Sequence, residues 1–311
     1  MIDLRQGDCL EIMKSIPDGS VDMVLTDPPY GTVKGMVIDG WNDKTTHWDD
    51  VLDNDKLWHE INRVLRVNGC CILFSQEPYT SNLITNCHNN TPFSYRMIWD
   101  KQHFANPLLS KKAPVSYYED INVFFKKYDT LALHPLRDYF KQILNFIGLK
   151  LKQVNEKLGH RRAEHCFYFN STQFELCTEQ TYNELINVFS INKMQWFKPY
   201  YELTEINRTF NRTFNLHDGK KYKSNILSYA KESKRYHPTQ KPVLLLEDLI
   251  KTYSHENNVI LDFTMGSGST MIACLNTNRK GIGIELDENY FNVAKSRIEK
   301  HQLEQHELIL A

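Results

Sequence analysis

Val21-Asp22-Met23-Val24-Leu25-Thr26-Asp27-Pro28-Pro29-Tyr30 is an apolar run that feeds directly into a carboxylate, two prolines and an aromatic ring. The run reads as a buried strand, and the paired prolines end it, because each fixes φ and removes a backbone donor. At that stop the chain presents two hydrogen-bond acceptors, the Asp27 carboxylate and the Pro28 carbonyl, beside the flat face of Tyr30. Such a set suits a planar guest with an exocyclic amino group. Accepting both N–H bonds draws the nitrogen toward tetrahedral geometry and exposes its lone pair, while the aromatic ring orients the guest. Taken alone, an Asp-Pro-Pro-Tyr turn after a strand is more often plain surface. The rest of the chain has to decide.

On either side of this stretch, residues 1–130 alternate between helix and strand periods. A short strand precedes Gly7-Asp8-Cys9-Leu10, and a helix follows with Leu10, Met13 and Ile16 on one face. The next helix carries Leu57, Ile61, Val64 and Leu65, with its end expected at Asn68-Gly69 and a buried strand after it over 70–74. Residues 95–99 and 120–125 read as two further strands, giving half of a parallel or mixed sheet. Residues 32–48 are rich in Gly, Asp and Thr without periodicity; they read either as a cover for the substrate or as an ordinary surface loop.

The alternation breaks over 131–236. Two short helices are expected at 136–146 and 149–158, joined at Gly148 and closed by Gly159, with His160-Arg161-Arg162 after them, which suggests a helix-turn-helix. Residues 130–236 hold 17 Lys and Arg against 10 Asp and Glu, whereas the remainder holds 20 against 28. A local basic surface is what a polyanion needs, so Lys150, Lys152, Arg161, Arg162, Lys220 and Lys221 are the candidates for phosphate contact. His160, His165, Cys166 and Cys177 fit no compact zinc spacing, and no metal is expected.

From His237 the alternation returns. His237-Pro238-Thr239-Gln240-Lys241-Pro242 leads a helix bearing Leu245, Leu246, Leu249, Ile250 and Tyr253, and a strand covers 259–262. Phe263-Thr264-Met265-Gly266-Ser267-Gly268-Ser269-Thr270 then opens another helix, and a strand over 281–284 ends in Glu285. Strand, glycine turn, helix, strand and acid form the layout of a nucleoside-binding βαβ unit. A dinucleotide fingerprint needs a glycine where Met271 stands, and a P-loop needs a Gly-Lys-Ser/Thr that is absent. S-adenosylmethionine has no phosphate and needs neither.

Together the two motifs resemble the S-adenosylmethionine-dependent DNA amino-methyltransferases. Asp27-Pro28-Pro29-Tyr30 is similar to their catalytic motif in its aspartate-first, adenine-N6 form, and Asp262 to Thr270 is similar to their cofactor turn, with Phe263, Thr264 and Ser269 departing from the usual residues. The order, catalytic motif first and cofactor motif last, resembles the β-group. The resemblance covers the chain outside most of 130–236. It implies an α/β fold, a doubly wound mixed sheet of Rossmann-like class I methyltransferase type with permuted motif order and a mainly helical insert. The expected divisions are a catalytic half at 1–130, an inserted target-recognition region at 131–236 and a cofactor-binding half at 237–311.

The resemblance further implies that Asp27, Pro28, Pro29 and Tyr30 are catalytic. S-adenosylmethionine would be held by Asp8, Cys9, His237, Thr239, Lys241, Asp262, Phe263, Thr264, Gly266, Gly268 and Glu285, with Asp262 at the methionine ammonium, Lys241 at its carboxylate and Glu285 at the ribose. The implied activity is site-specific methylation of adenine N6 in double-stranded DNA, with cytosine-N4 DNA or RNA adenine methylation as the alternatives within the class. A DNA-binding regulator on an inactive scaffold is the alternative outside it. Intact Asp27 and Glu285 speak against that. A homodimer and a companion restriction endonuclease are partners the resemblance admits.

Composition bounds the rest. With 41% hydrophobic and 24% charged residues among 311, the chain can build a sizeable core. No apolar run reaches membrane-spanning length and the N-terminus lacks signal-peptide order, so a cytoplasmic protein is expected, and the resemblance implies a prokaryotic or phage one. Seven cysteines without framework spacing point to reduced thiols.

Overall fold

The computed structural model describes residues 1–31, 50–105, 111, 114–127, 134–171, 173–234 and 236–310. The expected covering loop at 32–48 lies outside them. The chain divides into two units, Met1–Lys126 with Arg212–Ala311, and Lys127–Asn211.

The first unit is built on strands whose alternate side chains face opposite layers. In chain order its elements are β1 (Ile2–Gln6), α1 (Cys9–Met13), β2 (Val21–Thr26), α2 (Asn54–Val64), β3 (Leu65–Ser75), α3 (Tyr79–Thr85), β4 (Phe93–Ala105) and β5 (Ser116–Phe125). After the second unit come β6 (Ile226–Ser228), α8 (Val243–Tyr253), β7 (Val259–Asp262), α9 (Ser269–Asn276), β8 (Lys280–Glu285) and α10 (Glu288–Leu310). The strand order is β1-β8-β7-β2-β3-β5-β4-β6, with β3 to β5 and β5 to β4 antiparallel and the other pairs parallel. Met23, Leu25, Cys70, Ile72 and Phe74 pack under α8 and α9. Val24, Cys71, Leu73 and Leu261 pack under α1 and α2. A mixed sheet covered on both faces is the doubly wound architecture that the two motifs implied.

One expected boundary is corrected. Asn68-Gly69 does not end a helix: α2 stops at Val64 and β3 begins at Leu65 with no loop between them. Asn68 takes φ 60 inside the strand, and the pairing with β2 slips between Val21 and Met23. A Cβ on Gly69 would stand 2.9 Å from the Arg66 carbonyl oxygen and 3.1 Å from that of Asp22. The glycine is needed for close approach at a bulge, not for a cap.

The sheet order places the switch point. From β7 the chain proceeds through α9 to β8 on one side, and from β2 through α2 to β3 on the other. Since β7 and β2 are neighbours, their carboxyl ends flank the crevice where open α/β sheets bind ligands.

The second unit is helical: α4 (Leu136–Ile147), α5 (Leu151–Leu158), a 3₁₀ turn at Glu164–Phe167, α6 (Glu179–Phe189) and α7 (Tyr200–Phe210). Tyr139, Phe140, Ile143, Val154, Tyr182, Leu185 and Leu203 make its core. The element after α5 is a 3₁₀ turn, and Arg161 and Arg162 there pair with Glu164 and Glu184 at 2.8 and 2.9 Å. The unit ends at Asn211, short of the expected boundary at 236, because the chain returns to the sheet and β6 pairs with β4. Residues 212–236 therefore fold with the sheet, and they hold seven Lys and Arg against two Asp and Glu. Among the described residues no helix is long and apolar enough to cross a membrane.

Candidate active site

Asp27 follows the last residue of β2, and Asp262 is the last residue of the neighbouring β7. Parallel pairing of Val24 with Leu261 therefore sets the Asp27-Pro28-Pro29-Tyr30 turn beside the Phe263 to Gly268 turn. A chain of short polar contacts joins them. Thr26 Oγ1 lies 2.6 Å from Asp262 Oδ1 and 2.7 Å from Thr264 Oγ1, and Thr264 Oγ1 donates to the Asp27 carbonyl at 3.1 Å. Thr264, a departure from the family pattern, thus links the two motifs.

The Asp27 carboxylate takes the Tyr30 hydroxyl on Oδ1 and the Lys241 ammonium on Oδ2. Burial pushes the Asp27 carboxyl above its usual range despite the Lys241 charge beside it. Tyr30 packs at 5.7 Å and 31° on Tyr79, whose hydroxyl is buried with no hydrogen-bond partner among the described residues. Sequence reasoning missed Tyr79; its only signal is an aromatic residue at the start of the helix after β3.

On the cofactor side, Asp262 is 3% exposed and accepts from the Thr26 hydroxyl and the Thr264 N–H, and burial raises its carboxyl to about 6. Glu285 Oε2 accepts the Gly266 N–H at 2.8 Å and Oε1 the Asp287 N–H at 2.9 Å. Each Glu285 oxygen keeps a lone pair, which suits a vicinal diol. Gly266 and Gly268 sit at φ 52 and 78, and a Cβ on Gly266 would meet nothing nearer than the His237 ring at 3.7 Å. Gly7 N–H bonds the Glu285 carbonyl at 2.9 Å, which brings Asp8 and Cys9 alongside. Asp8 caps α1 through Leu10 N–H at 2.8 Å, and burial pushes the Cys9 thiol up to about 12. This donor set, two carboxylates around a bare glycine turn, fits a ribose and an ammonium and so fits S-adenosylmethionine.

Two expected cofactor contacts have other neighbours in this structure. Lys241, expected at the methionine carboxylate, is buried against Phe74 and Trp99 and committed to Asp27, with Glu119 Oε2 3.1 Å away. The Phe263 side chain is 1% exposed in the core beneath the turn, so only its backbone can face a ligand. His237 and Thr239 form a local pair, Nδ1 to Oγ1 at 3.1 Å. Burial and the Lys241 charge lower the His237 ring to about 4 and keep it neutral near pH 7. Two residues unforeseen from sequence brace the glycine turn: Arg297 donates to the Ser267 carbonyl at 3.1 Å and to Ser269 Oγ at 2.9 Å, and Gln240 accepts from Ser267 Oγ at 3.0 Å. The phosphate-contact candidates Lys150, Lys152, Lys220 and Lys221 are exposed. Among the described residues no group of three or more His, Cys, Asp or Glu is arranged to hold a metal.

Comparison with known proteins bears on this geometry. Residues 21–296 match the family described as DNA methylase. The chain is similar to the type II methyltransferase M.HpaI of Haemophilus parainfluenzae, 22% identical over 94% of this chain and 73% of the relative. It is also similar to the DNA adenine methyltransferase YhdJ of Escherichia coli (strain K12), 25% identical over 94% of this chain and 81% of the relative. Among solved structures, the M1.HpyAVI-SAM complex superposes with a TM-score of 0.54 at 20% identity, covering 96% of this chain and 99% of that one. The cytosine-N4-specific PvuII DNA methyltransferase gives a TM-score of 0.53 at 12% identity, covering 97% and 90%.

Proposed function

The chain belongs to the DNA methylase family, and from that premise we propose that it methylates the N6 amino group of adenine at specific sites in DNA. The observation that carries the proposal is the Asp27 to Tyr30 turn held against the glycine turn through Thr264 at the switch point. Similarity to YhdJ and the aspartate-first motif support adenine as the base. Bound at the Asp262 and Glu285 side, S-adenosylmethionine supplies an electrophilic methyl group. The protein supplies orientation. An adenine rotated out of the duplex meets the Asp27 carboxylate and the Pro28 carbonyl with its amino hydrogens, and Tyr30 holds its ring. As the nitrogen gains positive charge, the Asp27 carboxylate faces it and can accept its proton.

The same proposal assigns target recognition to the insert, and phosphate contact to Lys150, Lys152, Arg161, Arg162, Lys220 and Lys221. It also includes a cytoplasmic location and a companion restriction endonuclease, in line with the type II relatives, and a homodimer. The test is incubation of purified protein with labelled S-adenosylmethionine and genomic DNA, then nucleoside analysis. N6-methyladenine at a recurrent site is expected. N4-methylcytosine would move the protein to the other branch of the class, and no transfer at all would refute the reading.

A further inference from the structure

Behind Asp27 lies a charge arrangement that the methylation reading does not use. Lys241, 6% exposed, stands between two carboxylates, with Asp27 Oδ2 on one side and Glu119 Oε2 at 3.1 Å on the other. Glu119 Oε1 in turn takes the fully buried Lys101 ammonium at 3.1 Å. Two cations and two anions thus alternate from β4 through β5 to the segment before α8 and the end of β2, with no net charge. Asp27, at 20%, is the most exposed of the four, ahead of Glu119 at 13%. It is the end that meets substrate.

The arrangement poses a problem for catalysis and offers its solution. Methyl transfer makes the amino nitrogen cationic, and a Lys241 ammonium seated on Asp27 opposes that charge at short range. Lys241 is already within ion-pair distance of a second carboxylate. We propose that Glu119 is a positioning residue for methyl transfer: when the base's amino group engages Asp27, Glu119 takes over Lys241, so that the Asp27 charge is left to the reacting nitrogen. Lys101 holds Glu119 ionised and in place for that exchange. The inference rests on the methyltransferase reading above.

The charged and titratable groups facing Asp27 are Tyr30 on its own turn, Tyr79 of α3, Glu119 of β5, Lys241 before α8 and Asp262 of β7, with Lys101 of β4 behind Glu119. Of these, Glu119 repels the ionised Asp27 and Lys241 attracts it. Removing one or the other shifts Asp27 in opposite directions; a kcat effect of Glu119 that needs Lys241 is what a merely structural role would not give.

The experiment compares Glu119→Gln, the charge-balanced pair E119Q/K101M and Lys241→Met. The paired variant keeps the buried charges balanced and guards against failure of the single one to fold. Expected for both Glu119 variants are a kcat lower by roughly tenfold or more, S-adenosylmethionine affinity within twofold of wild type, and an acid limb of kcat moved to lower pH. Lys241→Met should move that limb to higher pH, and in its background E119Q should lower kcat no further. The Asp27 carboxyl carbon, titrated by NMR without substrate, should move the same two ways. Wild-type kcat and pH profile in E119Q/K101M, additivity with Lys241→Met, an unmoved Asp27 titration or impaired cofactor affinity would each overturn the proposal. If the wild-type protein methylates no DNA, the functional reading fails; a wild-type protein that methylates DNA alongside Glu119 variants of undiminished kcat fails the positioning role alone.

Discussion

Thr264 Oγ1 donates to the Asp27 backbone carbonyl at 3.1 Å, a contact between residues 237 positions apart. It ties the turn proposed to grip the substrate to the turn proposed to grip the cofactor. Thr264→Val keeps the side-chain shape and removes this bond, worth about 1 kcal/mol. The expected outcome is a kcat lower by roughly fivefold with cofactor affinity little changed. Single-turnover methylation and calorimetric titration read the two quantities, and an unchanged kcat would show that the link is dispensable.

Asp27→Asn retains the volume of the side chain but replaces one acceptor oxygen with a donor and leaves Lys241 one counter-charge short. Methyl transfer should fall by a factor on the order of 10³, while S-adenosylmethionine binding stays within a few-fold of wild type. Preserved turnover with abolished cofactor binding would reverse the roles of the two turns.

Asp262 titrates near 6 because burial penalises its ionised form more than its hydrogen bonds favour it. Its folded value lies above the ordinary carboxylate range, so the charge needed for an ammonium is present above about pH 6 and disappears as pH falls through that value. Cofactor affinity should weaken between about pH 7.5 and 5.5, and Asp262→Asn should bind poorly with a flat profile. A wild-type affinity that does not change across this range would remove Asp262 from the ammonium site.

Gly268 begins α9 at φ 78, and a Cβ there would stand 3.0 Å from Ile298 Cδ1 and 3.2 Å from Ala294 Cβ, both on α10. Gly268→Ala is strained twice over, by backbone conformation and by crowding. A stability loss of about 1–2 kcal/mol is expected, with weaker cofactor binding. Thermal melting with and without S-adenosylmethionine measures both.

Lys220 and Lys221 have no ion pair among the described residues, whereas Arg161 and Arg162 each face a glutamate. If all four touch phosphate, neutralising the lysine pair should weaken DNA binding more, and flatten the salt slope by roughly 1 for each phosphate no longer neutralised. The arginine pair should cost less, since its charge is shared with Glu164 and Glu184. Fluorescence anisotropy over a salt series separates the two, and equal affinity for both variants and wild type would take these runs off the DNA.

The strand into Asp27, the strand into Asp262, the glycine turn, the acid at the end of β8 and the break in alternation near residue 130 are all legible in the sequence. Each depends on period, turn chemistry or glycine conformation within a few residues, which local physics fixes. The bulge at Asn68-Gly69, the return of 212–228 to the sheet and the place of Lys241 are not legible, because neighbours far along the chain decide them. Lys101 and Glu119 look like ordinary polar positions near strand ends; nothing nearby says that they will be buried opposite one another. A pattern of apolar residues records where a side chain is hidden from water. Which charge it meets there depends on strand order and register, and the fold alone supplies those.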